Sequence, residues 1–100
     1  MRTKENSDDL APLRSKIDKI DRRILDLINQ RLEVGRAVGN IKKKTGAQIL
    51  DRNREQSVID KLLKINQGPA TEQLLRYFFN VIITATREIQ KSKTISYLGP

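Results

Sequence analysis

The sequence contains no cysteine, histidine or tryptophan, and aromatic residues make up only 4% of it. Without cysteine, the chain has neither disulfide bonds nor thiolate chemistry. Without histidine, it lacks the commonest general base and the commonest metal ligand. Because aromatic side chains are so few, base stacking is a poor explanation for any affinity for nucleic acid. These absences exclude many common enzyme mechanisms.

Long apolar runs are also missing. No segment approaches the length of a membrane span, and residues 1–9 are too polar for a signal peptide. We therefore expect a soluble, cytoplasmic protein. Its length of 100 residues predicts one domain, and its formal net charge of +8 predicts an anionic partner. That partner is nucleic acid, an acidic membrane surface or a small polyanion.

The first half of the chain predicts one long helix. From Ser7 to about Thr45 the only internal breakers are Gly35 and Gly39; Pro12 fits the first turn, and Gly46 fits the position after the last. Apolar residues recur at alternating spacings of three and four. This heptad face comprises Leu10, Leu13, Ile17, Ile20, Ile24, Leu27, Val34, Val38 and Ile41.

The length of this helix predicts a dimer. About 38 helical residues would extend about 57 Å, whereas a 100-residue monomer has an expected radius of gyration of about 13 Å. Much of the helix must therefore pack against another chain. We predict an intertwined, antiparallel homodimer.

Two further helices are predicted, from Asp51 to Asn66 and from about Ala70 to Lys91, separated by a stop at residues 67–69. The buried side of the second should carry Val58, Ile59, Leu62, Leu63 and Ile65. No segment has the two-residue period of a strand. The predicted fold class is all-α, with three helices per chain.

Three cations of the long helix stand out. Arg31 interrupts the heptad face, where a charge costs free energy unless an anion meets it. Lys42 lies eleven residues later, about 16 Å along the same face. Arg14 lies about 26 Å from Arg31 and points elsewhere, so it reaches such a site only from a partner chain. The alternatives are a snorkelling Arg31, a solvated Lys42 and an ordinary surface Arg14.

The other two helices carry polar residues on apolar sides. Asp51, Arg54 and Glu55 share one face of the second helix, and Thr86 and Gln90 share an otherwise apolar face of the third. The alternatives are an intrahelical salt-bridge group for the first set and polar edge positions for the second. No single residue decides between these interpretations, but the constellation favours a site.

The constellation resembles the all-helical chorismate mutase family, from Leu10 to Gln90. The matching stretches are Leu13-Arg-Ser-Lys-Ile-Asp18, Ile28-Asn-Gln-Arg-Leu-Glu33, Val38-Gly-Asn-Ile-Lys42, Asp51-Arg-Asn-Arg-Glu55 and Phe79-Asn-Val-Ile-Ile-Thr-Ala-Thr-Arg-Glu-Ile-Gln90. The resemblance implies the rearrangement of chorismate to prephenate, a pericyclic reaction that needs no cofactor and no metal ion. It implies neither a nucleic-acid partner nor a membrane partner.

The resemblance also implies a role for each polar residue. Lys42 and Gln90 would donate to the ether oxygen that leaves, and Lys42 would also reach a carboxylate. Arg31 and the partner's Arg14 would bind the two carboxylates. Glu55, with Asp51 nearby, would accept from the ring hydroxyl. Thr86 stands where the family often has serine, so it keeps the hydroxyl and adds a methyl group, and Arg54 would orient the others.

The predicted boundaries are a polar tail at 1–9, a mutase domain at 10–91, and a linker at 92–100. Within this stretch, Ile95-Ser-Tyr-Leu-Gly-Pro100 resembles the start of a prephenate dehydratase domain, as in a bifunctional enzyme. Three alternatives remain open: an isochorismate pyruvate-lyase on the same fold, a basic nucleic-acid-binding module, and a structural coiled coil. The last does not explain the polar residues on the second and third helices.

Overall fold

The structure, a computed structural model, describes the backbone of residues 2–91 and the side chains of residues 9–91. It consists of α1 (Arg2–Thr45), α2 (Arg52–Ile65) and α3 (Glu72–Lys91), and residues 2–91 contain no strand. The predicted all-α class with three helices is confirmed. The predicted linker and dehydratase start at 92–100 lie outside the described residues.

Helix α1 begins earlier than the sequence predicts. Its first residue is Arg2, so most of the predicted polar tail is helical. Residues 2–6 include neither glycine nor proline, and nothing in them ends the helix. Pro12 consequently lies inside α1 rather than in its first turn. Since proline has no N–H, the carbonyl of Asp8 there loses its usual helical donor.

The two helix ends that flank the first connection lie where the sequence places them. Gly46 follows α1 with a φ of 77°, and the N–H of Ala47 donates to the carbonyl of Lys42 at 3.0 Å. This is the glycine-terminated Schellman arrangement. Asp51 is the N-cap of α2, and its carboxylate accepts the N–H of Arg54 at 3.0 Å. The connection between α1 and α2 is therefore fixed at both ends.

The chain divides into two compact units, one ending at Arg31 and the other beginning at Leu32. In the first unit, α1 exposes the apolar side chains of its heptad face. Their exposed fractions lie between 41% and 60% for Leu10, Leu13, Ile17, Ile20, Ile24 and Leu27. In a single chain, these six large apolar side chains are in contact with water, so the face that they form is not covered.

The second unit has a small core between α2 and α3. Ile59, Ile82 and Ile83 are buried, and Val58, Leu62 and Leu63 of α2 are half-buried, as predicted. The prediction for Ile65 is wrong, because its side chain is 71% exposed. It is the last residue of α2, so no further turn of that helix covers its side chain.

Candidate functional site

Lys42 is held in place at both its backbone and its side chain. It lies in the last turn of α1, where its carbonyl accepts the N–H of Ala47. Its half-buried side chain reaches the following loop, where Nζ donates to the carbonyl of Ile49 at 3.2 Å. An ammonium group has three donors, so two remain for an anionic or ether oxygen.

Lys42 and Asp51 line the same depression in the surface. Its volume is about 610 Å³, and its other lining residues are Ala47, Gln48, Leu50, Arg52 and Asn53. Binding sites for small molecules have volumes of roughly 300–1,000 Å³. Asp51 uses Oδ1 to cap α2. Its carboxylate therefore has a structural task in addition to any contact with a ligand.

Gln90 is the buried polar residue of α3. Its side chain is 7% exposed, and Nε2 donates to the carbonyl of Gly35 on α1 at 2.9 Å. Its aliphatic part packs against Gly39. Gly39 precedes Lys42 by three residues, about 4.5 Å along the helix. The structure thus places the aliphatic part of Gln90 beside a residue that lies less than one turn before Lys42, and its amide at Gly35.

Thr86 lies one turn before Gln90 on the same face of α3, as the spacing predicts. Its hydroxyl donates to the carbonyl of Ile82 at 2.8 Å, within its own helix. Its methyl group faces Gly35 of α1. Because the hydroxyl oxygen keeps acceptor capacity, the interaction with Ile82 is compatible with a ligand contact.

Glu55 is paired across helices rather than within α2. The carboxylate oxygen Oε2 lies 2.9 Å from Nε of Arg87 on α3, and the two side chains are 24% and 29% exposed. The N–H of Arg87 at Nε is not directed at that oxygen, so the contact is an ion pair rather than a hydrogen bond. This ion pair joins α2 to α3 beside Thr86.

The structure does not gather every predicted residue in one chain. Arg14 is exposed and Arg31 half-buried, and both belong to the first unit. Seventeen residues of α1 separate them, which is about 26 Å along the helix. One compact site cannot hold both from the same chain. Arg54 is exposed, and its backbone N–H, rather than its side chain, holds Asp51.

Sequence reasoning missed Gly35, Gly39 and Arg87. The two glycines looked like weak points of a long helix, yet they are where α3 contacts it. Their spacing was an available signal, because two glycines one turn apart form a groove on one side of a helix. Arg87 gave no such signal, since its partner Glu55 is distant in sequence.

The comparisons with known proteins identify the family of the chain. Residues 13–91 match the family described as chorismate mutase type II. The chain is 34% identical to a chorismate mutase from Methanocaldococcus jannaschii over 83 residues, which cover 82% of this chain and 84% of that protein. It is 33% identical over 97 residues to a bifunctional chorismate mutase/prephenate dehydratase from Aquifex aeolicus, covering 93% of this chain.

The chain spans only 27% of the length of that bifunctional relative. Among solved structures, chorismate mutase form II from Thermus thermophilus superimposes with a TM-score of 0.82 at 25% identity, covering 85% of this chain and 97% of that one. Among residues 2–91, no helix combines the length with the hydropathy that a membrane span requires. By its matched residues and its fold, the chain belongs to the chorismate mutase type II family.

Proposed function

We propose that this chain catalyses the rearrangement of chorismate to prephenate, a step towards phenylalanine and tyrosine. One observation carries the proposal: the buried amide of Gln90 is hydrogen-bonded to α1, the same helix that carries the half-buried ammonium of Lys42 in its last turn. Two donors that are each fixed by a hydrogen bond, one at the contact with α3 and one at the end of α1, suit a small ligand rich in oxygen. The family of the chain identifies that ligand as chorismate.

The reaction needs donors rather than nucleophiles. Within one molecule, the ether C–O bond breaks while a C–C bond forms, and no atom enters or leaves. Negative charge develops on the ether oxygen as its bond lengthens, so donors aimed at that oxygen lower the barrier. In our proposal, Lys42 and Gln90 are these donors. Each keeps hydrogens beyond those given to Ile49 and Gly35.

The magnitudes are consistent with this small set of donors. A millionfold acceleration requires about 8 kcal/mol of stabilisation specific to the transition state. Charge-assisted hydrogen bonds contribute about 1.5–3 kcal/mol each. Donors to the ether oxygen supply part of this sum. Holding the substrate in its reactive conformer supplies most of the rest.

The remaining roles follow the resemblance. We assign the two carboxylates of chorismate to Arg31 and to the Arg14 of a second chain, and its ring hydroxyl to Glu55. Asp51 and Thr86 make further contacts, and Arg54 orients its neighbours. The ion pair with Arg87 supports the role of Glu55, because it fixes a carboxylate that is ready to accept a hydrogen bond.

We further propose that the working form is an antiparallel homodimer. The exposed heptad face supports it, since burying six large apolar side chains would contribute roughly 1.5–3 kcal/mol for each one fully covered. Antiparallel pairing of two α1 helices would also bring the Arg14 of one chain towards the Arg31 region of the other. A cytoplasmic location and the dehydratase start at 92–100 stay predictions.

The direct test is the loss of the ultraviolet absorbance of chorismate on adding the protein, with prephenate identified as product. Release of pyruvate from isochorismate, without turnover of chorismate, would instead identify the lyase. Salt-sensitive binding of DNA or RNA, with no turnover of either substrate, would favour the nucleic-acid-binding module.

The shared site has its own test. Arg14→Ala and Arg31→Ala chains are each expected to be inactive, because every site in either homodimer lacks one cation. Mixed heterodimers should recover activity, because one of their two sites contains both wild-type residues. No recovery after subunit exchange, or a stable folded monomer by sedimentation, would contradict the dimeric site.

A further inference from the structure

Gly35 and Gly39 form a groove on α1, here called the glycine socket, that receives two side chains of α3. A Cβ built on Gly39 would lie 2.7 Å from Cγ of Gln90, 2.9 Å from its Cβ and 3.1 Å from its Cα. Non-bonded carbons prefer about 3.5–4.0 Å. A Cβ on Gly35 would overlap the Cγ2 methyl of Thr86. An alanine at either position would require Thr86, Gln90 or the backbone of α3 to move.

Gly39 also makes the carbonyl of Gly35 accessible. In a helix each Cα–Cβ bond tilts towards the N-terminus, so a side chain at one position covers the carbonyl four residues earlier. With no side chain at Gly39, the amide of Gln90 reaches the Gly35 carbonyl at 2.9 Å. In a regular helix that carbonyl also accepts the N–H of Gly39. The socket therefore fixes the direction of the Gln90 amide as well as its position.

Thr86 and Gly35 are matched in shape. The hydrogen bond from the Thr86 hydroxyl to Ile82 fixes the χ1 rotamer of Thr86. In that rotamer the methyl group occupies the space where a Cβ of residue 35 would be. A serine at position 86 would lack this methyl group and would leave room for alanine at position 35. The identity of one residue thus sets which residues fit at the other.

We propose that Gly35 and Gly39 are positioning residues of the site, and that Gly35 is the steric counterpart of Thr86. They act by setting where α3 lies against α1 and hence where the Gln90 amide is presented. The consequence for turnover depends on the function proposed above. Misplacing a catalytic group by about 1 Å costs on the order of a hundredfold in rate.

The changes in kcat and melting temperature of glycine-to-alanine variants distinguish a positioning role from that of an ordinary helical residue. Replacing glycine with alanine normally strengthens a helix, because alanine has the higher helix propensity. If the socket had no function, Gly35→Ala and Gly39→Ala would leave kcat unchanged and would raise the melting temperature. In our proposal, each lowers kcat by about 10–100-fold. KM changes less, because the predicted carboxylate ligands are untouched.

The experiment is a cycle of Gly35→Ala, Thr86→Ser and the double variant, with Gly39→Ala alongside. The double variant should have the kcat of Thr86→Ser alone within about threefold, because the overlapping methyl group is gone. Gly68→Ala is the matched control, since the atom nearest to a Cβ there is 3.9 Å away. Its activity should be that of the wild type. A kcat for Gly35→Ala equal to the wild-type value, or no recovery in the double variant, would overturn the pairing.

A second measurement is independent of turnover. The side-chain NH₂ signals of Gln90, identified by their loss in Gln90→Glu, report its hydrogen bond to Gly35 in NMR spectra. They should move in Gly35→Ala and return in the double variant to their position in Thr86→Ser. Unchanged signals in Gly35→Ala would refute the positioning role. An inactive wild-type protein with the expected signal changes would refute only the proposed function.

Discussion

Replacement of Lys42 tests the proposed chemistry most directly. Lys42→Ala removes the ammonium group and most of the side chain, whereas Lys42→Met keeps an aliphatic side chain that packs in the same space. Among the described residues, the side chain makes one hydrogen bond, to the carbonyl of Ile49. Losing it costs about 1 kcal/mol of stability. That corresponds to a fall of roughly 4–8 °C in melting temperature for a domain of this size.

The effect on turnover should be much larger. Lys42 is proposed to make two charge-assisted hydrogen bonds to the substrate, worth about 1.5–3 kcal/mol each. Their joint loss of about 3–6 kcal/mol lowers kcat/KM by roughly 10²–10⁴-fold. The bond to the ether oxygen strengthens in the transition state and should lower kcat. The bond to the carboxylate exists in both states and should raise KM.

The assay is the decay of chorismate absorbance at several substrate concentrations, with circular dichroism as the check on folding. Lys43→Ala is the matched control, because Lys43 is an exposed lysine in the same turn. It should change stability by no more than about 0.5 kcal/mol and leave turnover intact. A folded Lys42→Met protein with more than about a tenth of wild-type kcat/KM would refute the role of Lys42.

Two further predictions concern α2. Asp51→Ala should lower stability by about 1 kcal/mol through loss of the N-cap, whereas Asp51→Ser keeps a capping oxygen and should unfold near the wild-type temperature. Equal melting temperatures for the two variants would contradict the capping role. Arg87→Met should destabilise by about 1–2 kcal/mol, because it leaves the half-buried Glu55 unpaired, a cost between those of exposed and buried pairs. Arg76→Met is its control, because Arg76 and Glu72 also lie 2.9 Å apart but their side chains are 41% and 65% exposed. Equal losses of unfolding free energy in the two variants, measured by chemical denaturation, would argue against a stabilising role of the Arg87 pair.

Local signals in the sequence predicted the helices well. The alternating spacing of apolar residues identified α1, and Gly46 and Asp51 marked the ends of the first connection. These signals work because a helix and its caps depend on neighbours within about four residues. The early start of α1 was missed, because the helix was predicted to begin at Ser7 and in fact begins at Arg2.

The candidate site was harder to predict, because its contacts join distant parts of the chain. Gln90 and Thr86 were singled out as polar residues on an apolar face, but nothing local to them indicated Gly35 as their neighbour. From the local sequence alone, the two glycines indicated weak points of α1 rather than contacts with α3, since glycine destabilises a helix interior by about 1 kcal/mol. Arg87 was indistinguishable from a surface charge until its partner Glu55 was seen.

The tethered connection at 46–51 has a consequence for protein engineering. Surface loops usually accept inserted residues, because doubling the length of a loop costs only about 0.6 kcal/mol. This connection differs, since the carbonyl of Ile49 holds the ammonium of Lys42 and Asp51 caps the next helix. An added residue would move the attachment point of that ammonium while leaving the helices intact. Affinity tags, fluorescent labels and fused domains should therefore be placed elsewhere on this protein. An insertion in this connection would leave folding intact but would displace the ammonium group of Lys42.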